Sequence, residues 1–192
     1  MDQARRVEHD LGYVREVVGR SERSRVPRAI WYLWAAIGAV GFALIDFRPD
    51  WVPVFWAIAG PAGFALSAWL GWRHGRAIGQ ESWREGRAHL LHWAGMGGAI
   101  GLLVFFAARG HVTGVELAQA ILLVVALGYF LAGVHLVRPL VWVGLALAGS
   151  FVAVEFIDGY VWTAVGVVMA LALVVTAHTT SGVRGDGAGA RA

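Results

Sequence analysis

Long apolar runs alternate with short polar stretches through most of this 192-residue chain. Six runs each approach the ~20 residues with which a helix crosses a hydrocarbon core about 30 Å thick. They cover residues 29–45, 51–72, 90–108, 115–136, 140–156 and 161–177. Lipid leaves open strand edges without hydrogen-bond partners, so unbroken runs of this length predict helices. With such short connections, the pattern predicts an all-α polytopic membrane protein, a six-helix transmembrane bundle of three antiparallel hairpins.

The two ends of the chain are polar. Apolar residues within 1–28 recur at steps of three and four residues: Val7, Leu11, Val14 and Val18. This spacing predicts a short amphipathic helix, and its acidic residues are untypical of a cleaved secretory signal, so we expect it to be retained. The Gly-rich tail is expected to be disordered. The predicted organisation is therefore a cytoplasmic amphipathic helix at 1–28, a transmembrane domain at 29–178 and a cytoplasmic tail at 179–192.

Composition and charge support a membrane location and indicate an orientation. The chain is 58% apolar and 15% charged, whereas soluble domains are about 25% charged. All sixteen positive side chains are Arg, and six spans with a cytoplasmic start place fourteen of them on one side, leaving Arg48 and Arg109 on the other. Positive residues in short loops are held in the cytoplasm. We therefore expect a bacterial cytoplasmic membrane protein with both termini inside and no nucleic-acid partner.

Any bound metal would need His or carboxylate ligands, because the chain has no cysteine. Five histidines lie at predicted cytoplasmic span ends: His74, His89, His92, His135 and His178. The three-residue step from His89 to His92 puts both on one helical face, and imidazoles from adjacent helices hold transition metals or haem. The candidate ligands are His89, His92, His135 and His178. The alternative, which we favour, is that no cofactor binds and the imidazoles lie at the lipid interface.

Carboxylates gather at the opposite ends of the spans. These residues are Asp46, Asp50, Glu116, Glu155 and Asp158. An ionised carboxylate inside an apolar run is costly unless it reaches the headgroups or a partner. Glu116, Glu155 and Asp158 are therefore candidates for a site where a cation or proton enters. The alternative is that they extend to the interface with partial pairing.

Three functional hypotheses follow. Catalytic motifs are missing and no Asp, Glu, His or Arg falls at mid-span, which favours a non-enzymatic accessory or sensor-like scaffold. It would contact a cytoplasmic partner through the N-terminal helix and the 73–89 loop. The alternative is a small transporter or channel for a proton, cation or small solute that uses the outer carboxylates and inner histidines. The third is a haem- or metal-binding redox subunit.

Overall fold

The computed structural model describes residues 26–77 and 83–180. Within them the regular structure is helical. The helices are α1 (Arg28–Phe47), α2 (Val52–Ala77), α3 (Trp83–Ala108), α4 (Gly114–His135), α5 (Leu140–Ala153) and α6 (Val161–Thr179), with a 3-10 turn at Pro49–Trp51. The predicted six-helix bundle is confirmed. The separate assignments of residues 1–25 and 181–192 to an amphipathic helix and a tail lie outside the described residues.

Five of the six helices are long and apolar enough to cross a membrane, and α5 is shorter. Its 14 residues extend about 21 Å at 1.5 Å per residue, against a hydrocarbon core of about 30 Å. The chain continues past Ala153 in tight turns, since the amides of Phe156 and Ile157 both donate to the Ala153 carbonyl at 3.1 Å. The regular helix therefore ends before the predicted boundary at 156.

The helices pack in the order α2, α1, α6, α5, α4 and α3, each against its neighbours in that row. All three predicted hairpins are present, α1 with α2, α3 with α4, and α5 with α6. The most extensive contacts join α1 to α6 and α4 to α5. Among the described residues α2 and α3 do not contact each other, although they are consecutive in the chain. Each of these two helices therefore has one helical neighbour and an otherwise unpartnered surface.

Close approach between α1 and α6 depends on small residues on both helices. A side chain at Gly38 would meet the Met169 sulfur, and one at Gly166 would meet the Ala39 carbonyl oxygen at 3.1 Å. The rings of Phe42 and Trp162 stack nearby with centroids 6.3 Å apart. Since lipid removes the hydrophobic drive for helix association, this dispersion contact supplies much of the attraction.

The α4–α5 pair is antiparallel with a constant register. Gly133 lies against Val141, Gly144 lies against the Phe130 backbone, and Gln119 binds Glu155. The pairs Gly133–Val141 and Gln119–Glu155 are separated by fourteen residues on each helix, in opposite chain directions. This stretch of α4 rises about 21 Å. Together with the turns that follow it, α5 therefore accompanies α4 through most of the bundle.

The buried core comes from four of the six helices. Its fully buried large side chains are Leu122 of α4, Leu140, Val143 and Leu147 of α5, and Leu173 of α6, and α1 adds Trp31, Ala35 and Phe42. Apart from Gly63, no described side-chain position of α2 or α3 is buried. Most of the surface of these two helices therefore faces lipid or a partner.

Two local features concern a proline and the glycines. Pro61 lies inside the continuous helix α2, so it does not interrupt the span. A small residue can bring two helix backbones together. Gly144 of α5 does so, but Gly97, Gly98 and Gly101 of α3 have open space within 4 Å. Instead α3 packs on α4 through Met96 against Gly128.

Candidate functional site

The polar residues lie at two ends of the bundle. One end, here called the Arg-rich end, carries the start of α1 and the end of α6, where Tyr32 shares a 3.3 Å hydrogen bond with His178. The opposite end, here called the acidic end, carries the carboxylates. The first and last helices are antiparallel, because Asp46 near the end of α1 contacts Thr163 near the start of α6. The described chain therefore starts and finishes at the same end of the bundle.

At the acidic end, Asp46 joins α1 to α6. Its Oδ2 accepts hydrogen bonds from the Thr163 amide at 2.7 Å and from the Thr163 hydroxyl at 2.6 Å. Thr163 lies in the first turn of α6, whose cap residue Tyr160 makes no side-chain cap hydrogen bond. Asp46 therefore caps α6 from a different helix, and its charge complements the positive end of the α6 dipole.

Glu116 begins α4. Its Oε2 accepts from the Thr113 amide and hydroxyl, both at 2.8 Å, and the Glu116 amide donates to the Thr113 hydroxyl at 3.3 Å. This reciprocal arrangement is a capping box, which satisfies free amides of the first helical turn. Glu116 is exposed. Its carboxylate is therefore engaged in starting the helix.

Glu155 and Asp158 follow α5. Glu155 Oε1 accepts from Gln119 Nε2 at 2.5 Å, and Asp158 is exposed in the connection to α6. Gln119 lies one helical turn after Glu116, so the structure brings Glu116 and Glu155 to the same corner of α4. The role of Glu116, Glu155 and Asp158 in ion or proton entry stays a prediction.

At the Arg-rich end, His92 joins α3 to α4. Its Nε2 donates to the Gly128 carbonyl at 3.0 Å, and its ring meets Trp93 edge-on at 5.0 Å between centroids. A nitrogen that carries a proton has no lone pair for a metal. Trp93 in turn packs on Tyr129 of α4. His92 therefore contributes to the interface of these two helices in this tautomer.

The other candidate ligands are spread over separate helices. His89 is half-buried on α3, whereas His135 and His178 are exposed in the last turns of α4 and α6. Since α3 and α6 are not neighbours in the row, His92 and His178 lie in different helix interfaces. Among the side chains described in residues 26–77 and 86–180, no three His, Asp or Glu residues form a group suited to a metal ion. Metal binding by these histidines stays a prediction.

Further polar groups toward the Arg-rich end of the bundle make local or helix-to-helix hydrogen bonds. Trp34 Nε1 of α1 donates to Ser67 Oγ of α2 at 3.0 Å. The one buried polar residue of the described chain, Thr176, donates to the Ala172 carbonyl of its own helix at 2.8 Å. Trp31 Nε1 is buried without a hydrogen-bond partner in the described structure. Apart from the Tyr129 hydroxyl, the buried part of the described bundle therefore offers no ionisable group.

A feature that the sequence interpretation missed lies near the end of α2. Arg73 stacks over the Trp69 ring at 5.5 Å, and Arg76 stacks over the Trp72 ring at 4.9 Å. These four residues are called the Trp-Arg face below. Both pairs have the four-residue step that aligns neighbours on a helix, so the segment WLGWRHGR carried a signal for them.

Fold and polar contacts together define a helical membrane bundle whose polar side chains cap helices or join them. Comparison with known proteins adds no relative to this class: no family model, no curated protein and no solved structure matches the chain.

Proposed function

We propose that this protein is a non-enzymatic membrane scaffold of an accessory or sensor-like kind, which contacts a cytoplasmic partner. The observation that carries the proposal is that the polar side chains of the described bundle cap helices or join one helix to another. Asp46 caps α6, Glu116 starts α4, Glu155 binds Gln119 and His92 binds the α4 backbone. A transporter keeps ionisable groups near mid-membrane for its substrate. The contacts here favour a fixed bundle.

The proposal places the protein in a bacterial cytoplasmic membrane with the Arg-rich end in the cytoplasm. Fourteen of the sixteen arginines belong to that side when α1 starts there, in accord with the positive-inside rule. The Tyr32–His178 contact supports an even number of spans, because it brings the two ends of the described chain together. The partner would meet the residues before α1 and the 73–89 segment, which includes the end of α2 and the start of α3.

Site-specific photocrosslinking in living cells tests the partner. A photoreactive amino acid at Val14 or Gln80 probes the two proposed contact segments, and the same residue at Leu102 serves as the matched control, because Leu102 is 62% exposed on the apolar part of α3. We expect one protein adduct shared by positions 14 and 80 and missing at 102. The adducted protein should then bind the purified wild-type protein. Failure to obtain a shared adduct contradicts the proposal.

Reconstitution tests the competing functions. Vesicles that contain the purified protein and a pH-sensitive dye should show the same proton flux as protein-free vesicles. Flux that exceeds this background and falls in Glu116→Gln or Glu155→Gln would establish the transporter alternative instead. An absorbance spectrum with a Soret band, or one metal ion per chain, would establish the redox alternative.

A further inference from the structure

The Trp-Arg face is exposed at the Arg-rich end of α2. Trp69 and Trp72 are 47% and 58% exposed, and both guanidinium groups are also exposed. Each guanidinium lies within 6 Å of a ring centroid, the range in which the ring quadrupole attracts a cation. Two aromatic rings and two positive charges thus form one surface within about two helical turns.

This surface points away from the rest of the bundle. Gly63 and Ser67 mark the side of α2 that packs on α1, through Ile37 and Trp34. At 100° per residue, Arg76 lies about 180° around the helix from Ser67, and Trp69 lies about 200° around it. Because α2 has no second helical neighbour in the described chain, nothing else in that structure covers the face.

The charges on the face lack protein partners among the described residues. Neither Arg73 nor Arg76 forms an ion pair with the side chains described in residues 26–77 and 86–180. The planar guanidinium presents paired donors that match two phosphate oxygens. Stacking on a Trp ring restricts the guanidinium and leaves its N–H edge free to donate. The face is therefore arranged to receive a phosphate group.

An apolar strip continues from the face toward the middle of α2. Ala65, Ala62 and Ile58 lie on the same side of the helix as Trp69 by the 3.6-residue period, and all three are exposed. Trp side chains prefer the headgroup level of a bilayer. A ligand with a phosphate at the arginines and an acyl chain along this strip would match the whole surface.

We propose that the Trp-Arg face is a binding site for an anionic phospholipid of the leaflet at the Arg-rich end. Arg73 and Arg76 bind the headgroup phosphate, Trp69 and Trp72 hold the guanidinium groups and contact the glycerol region, and Ala62 and Ala65 contact an acyl chain. Charge complementarity selects an anionic lipid over a zwitterionic one. The site does not depend on the scaffold function.

Native mass spectrometry of the full-length protein, released from detergent with added lipid, tests the site. Phosphatidylglycerol is compared with phosphatidylcholine at equal concentration. The wild type is expected to retain one phosphatidylglycerol preferentially. Arg73→Gln/Arg76→Gln should weaken this binding about 30-fold, since each Arg near a headgroup contributes on the order of a fivefold gain. Arg48→Gln/Arg109→Gln is the matched control, because it removes two exposed arginines at the acidic end and should bind as the wild type does.

A second variant separates the rings from the charges. Trp72→Leu keeps both arginines and should weaken binding about two- to fivefold through the lost stacking. Helix content and thermal midpoint in phosphatidylcholine should match the wild type for every variant used. Equal retention of the two lipids by the wild type overturns the proposal, as does undiminished binding by both the double Arg variant and Trp72→Leu. Displacement of the lipid by millimolar inorganic phosphate would also overturn it and indicate a soluble anion.

Discussion

Asp46, near the end of the first described helix, caps the last one by accepting hydrogen bonds from both the amide and the hydroxyl of Thr163. Chain positions 117 residues apart are thereby joined at the acidic end of the bundle. At the other end the Tyr32–His178 hydrogen bond joins the same two helices. The α1–α6 interface is therefore tied by polar contacts at both ends, with glycines between them.

Asp46→Ala should destabilise the protein by about 1 to 2 kcal/mol, the usual cost of a lost helix cap. The substitution leaves the Thr163 amide and hydroxyl without their acceptor. Thermal unfolding in detergent measures the effect, and Asp50→Ala is the control, because Asp50 is exposed at the same end. A double-mutant cycle with Thr163→Val should show coupling between the two sites. Equal effects of Asp46→Ala and Asp50→Ala would contradict the capping role.

Gly144→Ala should destabilise the α4–α5 pair by about 1 to 3 kcal/mol, as overpacking does. The new methyl group would clash with the backbone of Phe130. Backbone atoms within a helix cannot shift without moving the whole helix, so the clash is not easily relieved. Gly149 on the same helix is the matched control, since it has open space around it. Gly149→Ala should leave the thermal midpoint unchanged or raise it slightly through helix propensity. A lower midpoint for Gly149→Ala than for Gly144→Ala would contradict this packing.

The helices were predictable because the lipid solvent imposes a strong constraint on the chain. In lipid, a run of about 20 apolar residues satisfies its backbone hydrogen bonds by forming a helix. The observed ends of α1, α4 and α6 therefore lie within two residues of the predicted ends. The start of α3 was missed, since its first turns are polar and charge breaks the apolar run without breaking the helix. Hydropathy locates the membrane, and helices continue beyond it.

The contacts of the polar residues were not predictable in the same way. The sequence placed Asp46, Glu116 and Glu155 at the same depth in the membrane. Depth does not determine how each helix is rotated about its axis. That rotation decides whether Gln119 meets Glu155 and whether Thr163 meets Asp46. Glu116 is an exception. The pattern Thr113-x-x-Glu116 is a local capping signal that needed no tertiary information.

His92→Leu should destabilise the protein by about 0.6 kcal/mol and at most about 1.7 kcal/mol, the range for side-chain hydrogen bonds between membrane helices. The lost bond is the one from Nε2 to the Gly128 carbonyl. His135→Leu is the control, because His135 is exposed in the last turn of α4. A chelator should leave the wild-type thermal midpoint unchanged. A midpoint that falls with chelator in the wild type but not in His92→Leu would instead establish a metal site.

Labelling of single-cysteine variants should show that the chain crosses the membrane six times, with both ends of the described chain on the same side. The chain has no cysteine, so a membrane-impermeant maleimide reacts with this protein only at the cysteine that is introduced. Cysteine substituted for Asp50, His111 or Asp158 should react in intact cells, whereas cysteine substituted for Arg138 or Thr180 should react only in inverted vesicles. The decisive pair is Arg138 and Asp158, which flank the short helix α5. Labelling of both from the same side would mean that α5 does not cross, and the positive-inside assignment would then fail.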